Sequence, residues 1–189
     1  MSKEETNKFE SREQIAETLN QQRDLSGADL SGLDLSGIKL TGLKMEGANL
    51  SETNLENAVL AAINMAGVNL TAAQLNEAQI AGANMSGASL RGAQLREAKI
   101  NAVNLENADL TEADLTGSRW FAVNVSGADF SDVTTADAHA AGVDWSKARV
   151  PPEEIPEPLT LPPWVPALFA GVGLLLVVCI ILARKRRQT

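Results

Sequence analysis

Large apolar side chains recur at every fifth position of the chain, beginning at Leu25. Stepping by five from Leu25 to Trp145 gives 25 positions, here called pentad centres, and the first nineteen, through Leu115, are all Leu, Ile or Met. From Ala28 to Val143, the position two residues before each centre is mostly Ala and otherwise another aliphatic or small side chain. An interval of five is the period of neither a strand nor a helix. Two inward positions alternating with three polar ones predict a repeat whose units bury their apolar faces by stacking.

A second period of twenty lies on top of the first. "GADL" at 27–30 returns as "GANL" at 47–50 and as "GADF" at 127–130. If four pentads form one coil, residues twenty apart stack above one another, which predicts an all-β, four-sided β-helix solenoid of about six coils. At a layer spacing of ~4.8 Å, the rod would be about 30 Å long.

This stacking predicts two columns of side chains. The inward column, or core ladder, consists of Leu25, Met45, Met65, Met85 and Leu105. The outward column, or Asn ladder, consists of Asn64, Asn84, Asn104 and Asn124. Asp, Asn, Ser and Gly at the other outward positions supply turn-compatible backbone. Residues dictated by the coil are therefore not evidence for a binding site.

The motif "A[D/N]LxG" carries a family resemblance. It is seen here as "GADLSG", "GANLSE", "NADLTEADLTG" and "SGADFSD", and it resembles the pentapeptide-repeat proteins. The resemblance implies that residues 23–150 form a right-handed quadrilateral β-helix; the handedness comes from the family alone. It also implies one specific activity, since some members resemble duplex DNA and bind type II topoisomerases.

Both ends of the repeat carry candidate caps. Residues 1–22 form a polar segment in which Ser11 and Gln14 fit a capping box. Ile15 and Leu19 lie four apart, which predicts a short helix that docks onto the repeat. At the far end the centres become aromatic. We expect Trp120, Phe130 and Trp145 to plug the last coil.

All seven prolines fall between residues 151 and 166. Such density is expected to exclude a ladder or a helix, so residues 151–163 are predicted to form an extended, semi-rigid linker. Residues 164–183 follow as a predicted transmembrane helix, because they contain 19 consecutive uncharged residues from 165 to 183. Trp164 fits an interfacial anchor, and the basic tail at 184–189 begins with Arg184, Lys185, Arg186 and Arg187.

The anchor predicts a lipid bilayer as one partner and allows a second copy as another. Ala167 and Gly171 form a small-xxx-small pair that would let two helices of a homodimer approach closely. The segment from Pro156 onward is also similar to a carboxy-terminal sorting signal, but substrates of that kind carry a signal peptide. The first residues show no apolar segment of a signal peptide.

Two membrane topologies are open from the sequence. The basic tail favours a single-pass protein with its repeat domain outside. The lack of an export signal before the repeat favours a tail-anchored protein whose repeat domain is cytoplasmic. We predict the second topology.

Charge and reactive residues limit the function. The chain has 24 acidic and 16 basic side chains, and a net charge of -8 excludes a nucleic-acid binder. The single His139 and single Cys179 leave no catalytic triad or metal site, so we expect no enzyme, no cofactor and no small-molecule substrate. We predict a membrane-surface scaffold for a protein partner that the sequence does not identify. The alternative is an acidic DNA mimic, because residues 24–150 carry 16 acidic and 8 basic side chains.

Overall fold

A computed structural model describes residues 8–158, apart from the side chains of residues 20 and 21. The predicted linker beyond residue 158, the predicted transmembrane segment at 164–183 and the basic tail at 184–189 lie outside this range. Within residues 8–158, the structure has no helix with the length and apolar character needed to cross a bilayer.

The described chain consists of one helix, seven very short strands and one 3-10 turn. The helix α1 spans Arg12–Gln21, and the 3-10 turn spans Trp145–Lys147. The strands are β1 Lys39–Thr41, β2 Val59–Ala61, β3 Gln79–Ala81, β4 Lys99–Asn101, β5 Arg119–Phe121, β6 His139–Ala141 and β7 Glu157–Pro158. They form one parallel sheet in chain order.

Residues twenty apart pair along the rod. Leu40 pairs with Leu60, and the next strands continue in the same parallel register. Single bridges repeat the offset elsewhere, as between Asp24 and Lys44 or between Asp34 and Asn54. These columns give four sides, which we number 1 to 4 by the centres Leu25, Leu30, Leu35 and Leu40 of the first coil. The prediction of a parallel β-solenoid of about six coils is confirmed.

The interior is built from the two inward positions of each pentad. The centres from Leu25 to Phe130 are buried, and the small side chains two residues earlier line the corners, as Ala78 and Ala98 do. A small side chain at the corner lets the backbone pass close to the interior. The large aliphatic centres then fill the space inside each coil.

Every corner uses a left-handed residue. The residue two positions after each centre has a positive φ, from Gly27 at 67° to Gly142 at 68°, and half of these residues are not Gly. On sides 1 to 3 the corners other than the one after Phe130 are closed by a turn bond, such as the one from Ala28 N to Leu25 O at 3.1 Å. The described corners of side 4 lack this bond, and there the chain forms the three-residue strands.

A neighbouring pair of alanines tests this corner geometry. Ala72 has a φ of 56°, whereas Ala73 is a fully buried corner residue. A left-handed L-residue costs about 1–2 kcal/mol, and Gly loses about 0.5–1 kcal/mol more entropy on folding than Ala. We therefore expect Ala72→Gly to raise the free energy of unfolding by about 0.5 kcal/mol. Ala73→Gly should lower it, and urea unfolding followed by circular dichroism measures both. An equal decrease in the free energy of unfolding in both variants would contradict the assignment of Ala72 as the left-handed residue of the corner.

The N-terminal helix caps the first coil. The Ser11 hydroxyl accepts a hydrogen bond from Gln14 N, and Gln14 Oε1 accepts from Glu10 N, one residue before the donor that a capping box predicts. Ile15 is buried and Leu19 is partly buried against the core. The short N-terminal helix predicted from the sequence is confirmed, and it covers the apolar end of the solenoid.

The C-terminal end differs from the prediction for the proline-rich segment. Glu157 N donates to Ala138 O at 3.0 Å, and β7 extends the ladder beyond β6. The Thr135 hydroxyl donates to Glu154 O at 2.8 Å, and Pro152 and Pro156 are buried. The expectation that proline density excludes a ladder is wrong here, because Pro lacks only a donor and is tolerated on an edge strand. The compact unit accordingly runs to Pro158, past the predicted boundary at 150.

Candidate interaction faces

The three aromatic residues expected at the end of the solenoid lie together. The ring centroids of Trp120 and Phe130 are 6.1 Å apart, and those of Phe130 and Trp145 are 5.3 Å apart. Trp120 is fully buried, and its Nε1 donates to Ser118 Oγ at 2.8 Å, whereas Trp145 is only partly buried. Trp120 and Phe130 therefore fill the interior of the last coils, and Trp145 lies over them. None of the three offers a binding surface by itself.

The core ladder occupies the inward positions of side 1. Leu25, Met45, Met65, Met85 and Leu105 are all buried. Their side chains contribute to folding and cannot reach a partner without unfolding of the coil.

The Asn ladder lies on the outer surface of side 1. Asn84 Nδ2 donates to Asn64 Oδ1 at 3.1 Å, and Asn104 Nδ2 donates to Asn84 Oδ1 at 3.1 Å. Asn124 continues the column by donating to Asn104 Oδ1, while Asn64 Nδ2 donates to the Glu46 carboxylate. The amide groups of this column are therefore used mainly within the solenoid.

The outward Asp and Asn residues of sides 1 to 3 also stabilise the turns. Asp29 Oδ1 accepts from Ser31 N and from the Ser31 hydroxyl, and Asn49 Nδ2 donates to the same carboxylate oxygen at 3.0 Å. Asp129 accepts the same pair of bonds from Ser131. These local bonds satisfy the corner, which is the usual role of Asp and Asn in a turn.

These turn bonds perturb the carboxylates. The Ser31 hydroxyl and amide hold the pKa of Asp29 below its ordinary value, and Ser131 does the same for the pKa of Asp129. For Asp114, burial raises the pKa, but hydrogen bonds from Thr116 and Arg96 outweigh that effect, so the pKa is lowered. A carboxylate of this kind favours the folded state only while it is ionised.

The sign of these shifts predicts loss of stability in acid. Because the folded pKa lies below the unfolded value of about 3.9, the contribution is complete well above about pH 4 and is lost as pH falls through the folded pKa. We expect the urea midpoint to stay level from about pH 7 to 5 and to fall below about pH 4. Ser31→Ala with Ser131→Ala should make that fall shallower. Ser86→Ala is the control, because Ser86 N donates to Asn84, which does not titrate. If Ser86→Ala changed the pH dependence of the urea midpoint equally, the hydrogen bonds to Asp29 and Asp129 would not be its cause.

Side 4 departs from the Asp and Asn rule. Its outward residue before each centre is Lys39, Val59, Gln79, Lys99, Arg119 or His139. The following outward positions are Thr41, Ala61, Ala81, Asn101, Phe121 and Ala141. We call this set of outward residues on β1 to β6 the strand face. The backbone turn bond is absent from its described corners. Its side chains are therefore not needed to support a turn, as Asp29 is on side 2.

Charge is unevenly divided between the four sides. All 16 carboxylates of residues 24–150 lie on sides 1 to 3, and the strand face has none. On sides 2 and 3, Arg91 pairs with Glu112 at 2.8 Å and Arg96 pairs with Asp114. Among the residues that the structure describes, Lys39, Lys99 and Arg119 form no ion pair and are exposed. The strand face is therefore the basic side of an acidic rod.

An exposed aromatic side chain directly precedes a residue that lines a groove. Phe121 is 55% exposed, the highest value among the exposed large hydrophobic residues of the described chain. Beside it, a groove of about 290 Å³ is lined by Ala122, Val123, Asn124, Val125, Gly142, Asp144 and Lys147. The basic strand face thus ends in an apolar contact point with an adjoining depression.

The described residues show no cluster of side chains able to hold a metal ion. His139 lies on the strand face, and its Nδ1 is 2.9 Å from Asp137 O. Cys179 and the predicted membrane-anchor residues Trp164, Gly171, Arg184, Lys185, Arg186 and Arg187 lie outside the described range. The described surface therefore offers flat faces and shallow grooves as its candidate sites.

Comparison with known proteins identifies the repeat. The family model described as pentapeptide repeats matches residues 24–57, 53–92 and 88–119, which together make up just over half of the chain. The chain belongs to the pentapeptide-repeat family. A comparison with curated proteins finds no match.

Several solved structures are similar to this pentapeptide-repeat protein. Rfr23 from the cyanobacterium Cyanothece 51142 is 21% identical, with a TM-score of 0.50, over 71% of this chain and 99% of that chain. A trypsin-treated form of QnrB1, a plasmid-mediated fluoroquinolone resistance protein, is 21% identical over 67% and 70% of the two chains, with a TM-score of 0.41. HetL from Nostoc sp. strain PCC 7120, a protein involved in heterocyst differentiation regulation, is 20% identical over 78% and 100%, with a TM-score of 0.21.

Sequence reasoning missed the strand face, although a signal for it exists. Every fourth pentad replaces the Asp or Asn before its centre with a residue such as Lys39 or Arg119. That exception has the same twenty-residue period as the coil, so it could have marked one side as different. The exposure of Phe121 could not have been read in the same way, because it follows the buried Trp120 directly.

Proposed function

We propose that this pentapeptide-repeat protein is a non-enzymatic protein-interaction module held at a membrane surface. The observation that carries the proposal is the contrast between the sides of the rod. On sides 1 to 3, many polar side chains hydrogen-bond within the coil, as Asp29 and Asn84 do. On the strand face, Lys99, Arg119 and Phe121 are exposed and take no part in closing a turn.

Rigidity supports the same function. Each outward residue is fixed by backbone pairing with the coils before and after it, as Lys99 is by the parallel register with Gln79 and Arg119. A partner that binds such a surface meets side chains that are already positioned, so little ordering is needed on this side of the interface. Flat faces of this kind suit a protein partner better than a small molecule, which needs a concave pocket.

The membrane part of the proposal rests on the sequence. The 19 uncharged residues at 165–183 match the length of a membrane span, and four basic residues follow them. We place the repeat domain on the cytoplasmic side. A reporter fused after Thr189, compared with one fused before Met1, tests the topology. A cytoplasmic signal from the fusion before Met1 with an external signal after Thr189 agrees with it, and the reverse pattern contradicts it. Recovery of the full-length protein in the soluble fraction would contradict the anchor itself.

The interaction function is tested by recovering a partner. The full-length protein would be crosslinked in membranes and isolated, first as the natural sequence and then as variants in which one outer side is altered at a time. We expect a defined protein partner whose recovery is lost in the variant of one side and retained in the others. Recovery of no protein with any version would contradict an interaction module.

A second function is favoured by the acidic sides. Sides 1 to 3 hold every carboxylate of residues 24–150, which would suit mimicry of duplex DNA toward a type II topoisomerase. DNA gyrase supercoiling with the full-length protein tests it. An effect that disappears when Glu52, Glu77 and Glu97 are changed to Gln supports mimicry. If the full-length protein has no effect on supercoiling even at saturating concentration, DNA mimicry is contradicted.

A further inference from the structure

We propose that the strand face, with the groove beside Phe121, binds an acidic segment of a partner protein that also presents an apolar side chain. This inference rests on the proposed interaction function and names the side and the chemistry of the partner. Three observations support it. The strand face has positive charges without an ion-pair partner, it has an exposed apolar residue next to a groove, and its side chains do not take part in closing turns.

The positive charge of the strand face has no partner in the described chain. Lys99 and Arg119 are in register on adjacent strands, so their backbones lie about 4.8 Å apart and both side chains leave the same face of the ladder. Like charges directly opposite one another destabilise a sheet. On sides 1 to 3, by contrast, Arg91, Arg96, Lys147 and Arg149 each pair with a carboxylate, and Lys44 is in register with Asp24. A bound carboxylate segment would supply the missing counter-charge.

A further cation extends the basic surface at the first coil. Arg23 Nη1 donates to Thr41 O at 2.9 Å, which places its guanidinium beside β1 and close to the Lys39 strand. At the opposite end, the acidic Glu157 of β7 pairs in register with His139. The cations therefore form two groups on the strand face: Arg23 with Lys39 at the first coil, and Lys99 with Arg119 farther along the rod.

Phe121 indicates that the partner presents an apolar side chain in addition to its acidic residues. Its ring is exposed, and its neighbours Ala102, Ala122 and Gly142 are small and exposed. Aromatic side chains in flat, otherwise small surroundings are typical anchor points of protein interfaces, and charged surroundings provide orientation and fast association. The groove lined by Ala122, Gly142 and Asp144 can receive one apolar side chain of the partner.

The length of the face matches a short segment. Five coil steps separate Lys39 from His139, or about 24 Å at ~4.8 Å per layer. An extended chain covers that distance with roughly seven residues at 3.3 Å each. A twelve-residue probe is thus long enough to contact all of the cations and Phe121.

Charge reversal on two sets of residues tests the proposal with the full-length protein. The strand-face variant carries Lys39→Glu, Lys99→Glu and Arg119→Glu; the control carries Lys44→Glu, Arg91→Glu and Arg96→Glu, which change the net charge equally on sides 1 to 3. Binding of a fluorescent twelve-residue peptide of alternating Glu and Leu is measured by anisotropy. We expect at least about a tenfold loss of affinity in the strand-face variant, a weaker salt dependence, and near-natural binding in the control.

Phe121→Ala separates the apolar contribution. It should weaken binding of the Glu-Leu peptide about threefold or more while leaving binding of a Glu-Ser peptide unchanged, because the Ser peptide has no apolar contact to lose. Ile155→Ala, which removes another exposed aliphatic residue (53% exposed), should change neither. Equal effects of Phe121→Ala on both peptides would overturn the role of the ring.

The remaining outcomes distinguish this inference from the proposed function. Equal binding by both charge variants, or no binding by the natural sequence, would overturn the inference. Binding to phosphatidylserine vesicles in place of the peptide, lost only in the strand-face variant, would assign the face to lipid and also overturn it. If the cellular partner is lost only with the control variant, the interaction function stands and the strand face is not its site. If no partner is recovered with the natural sequence or with either charge variant, both the interaction function and the strand-face inference are contradicted.

Discussion

Trp120→Ala is expected to lower the free energy of unfolding by about 3–5 kcal/mol, the usual cost of removing a buried large aromatic side chain. Trp120 is fully buried, its ring contacts those of Phe130 and Trp145, and its Nε1 donates to the buried Ser118 hydroxyl. The variant therefore loses apolar burial, two ring contacts and the partner of a buried polar group. Urea unfolding followed by circular dichroism measures the change.

The adjacent residue is a matched control. Phe121 is the next residue in the same strand, but it points outward and is 55% exposed. Phe121→Ala should change the free energy of unfolding by about 0.5 kcal/mol or less, as surface substitutions usually do. If the two variants lose similar stability, the inward and outward assignment of β5 is incorrect.

Ile15→Asp is expected to release the N-terminal cap and cause end-to-end association. Ile15 is the buried contact of α1 with the first coil. An aspartate there cannot stay buried without a partner, so the helix must separate from the core. This exposes the apolar end of the solenoid and its unpaired backbone edge, which are templates for association. Analytical ultracentrifugation should show a shift toward larger species than the natural sequence forms under the same conditions.

Ala16→Asp provides the corresponding control on the exposed side of the same helix. It adds the same charge and costs at least as much helix propensity, because Ala is the best helix former, but it disturbs no buried contact. A natural sedimentation profile is expected. Association of both variants would attribute the effect to charge or helix loss, and association of neither would show that α1 does not protect the coil end.

The repeat was predictable because its pattern is physically simple. An interval of five and a super-period of twenty leave few ways to bury centres such as Leu60 and Leu90, so the four-sided coil followed from spacing alone. Three features did not follow. The proline segment forms β7, because an edge strand needs fewer donors than an interior one. Phe130 and Trp120 fill the interior instead of only covering it.

The third feature is the candidate site. Spacing predicts which residues point outward, but it does not show which outward residues are occupied in turn bonds and which are not. Asp29 and Lys39 look equivalent in a five-residue pattern, yet Asp29 closes a corner and Lys39 lies on a strand without an ion pair in the described chain. That difference depends on the hydrogen bonding of each side, which required the structure.

The most direct test of the account places a photo-crosslinking residue on two sides of the rod. Gln79 lies on the strand face and Gln94 lies on side 3; both are exposed glutamines directly before a pentad centre. Each would be replaced in turn in the full-length protein, and crosslinked segments would be sequenced by mass spectrometry. If the strand face binds an acidic segment, a protein segment rich in Asp and Glu will be attached at position 79 and absent at position 94. Equal labelling at both positions, or labelling at 94 alone, would contradict it.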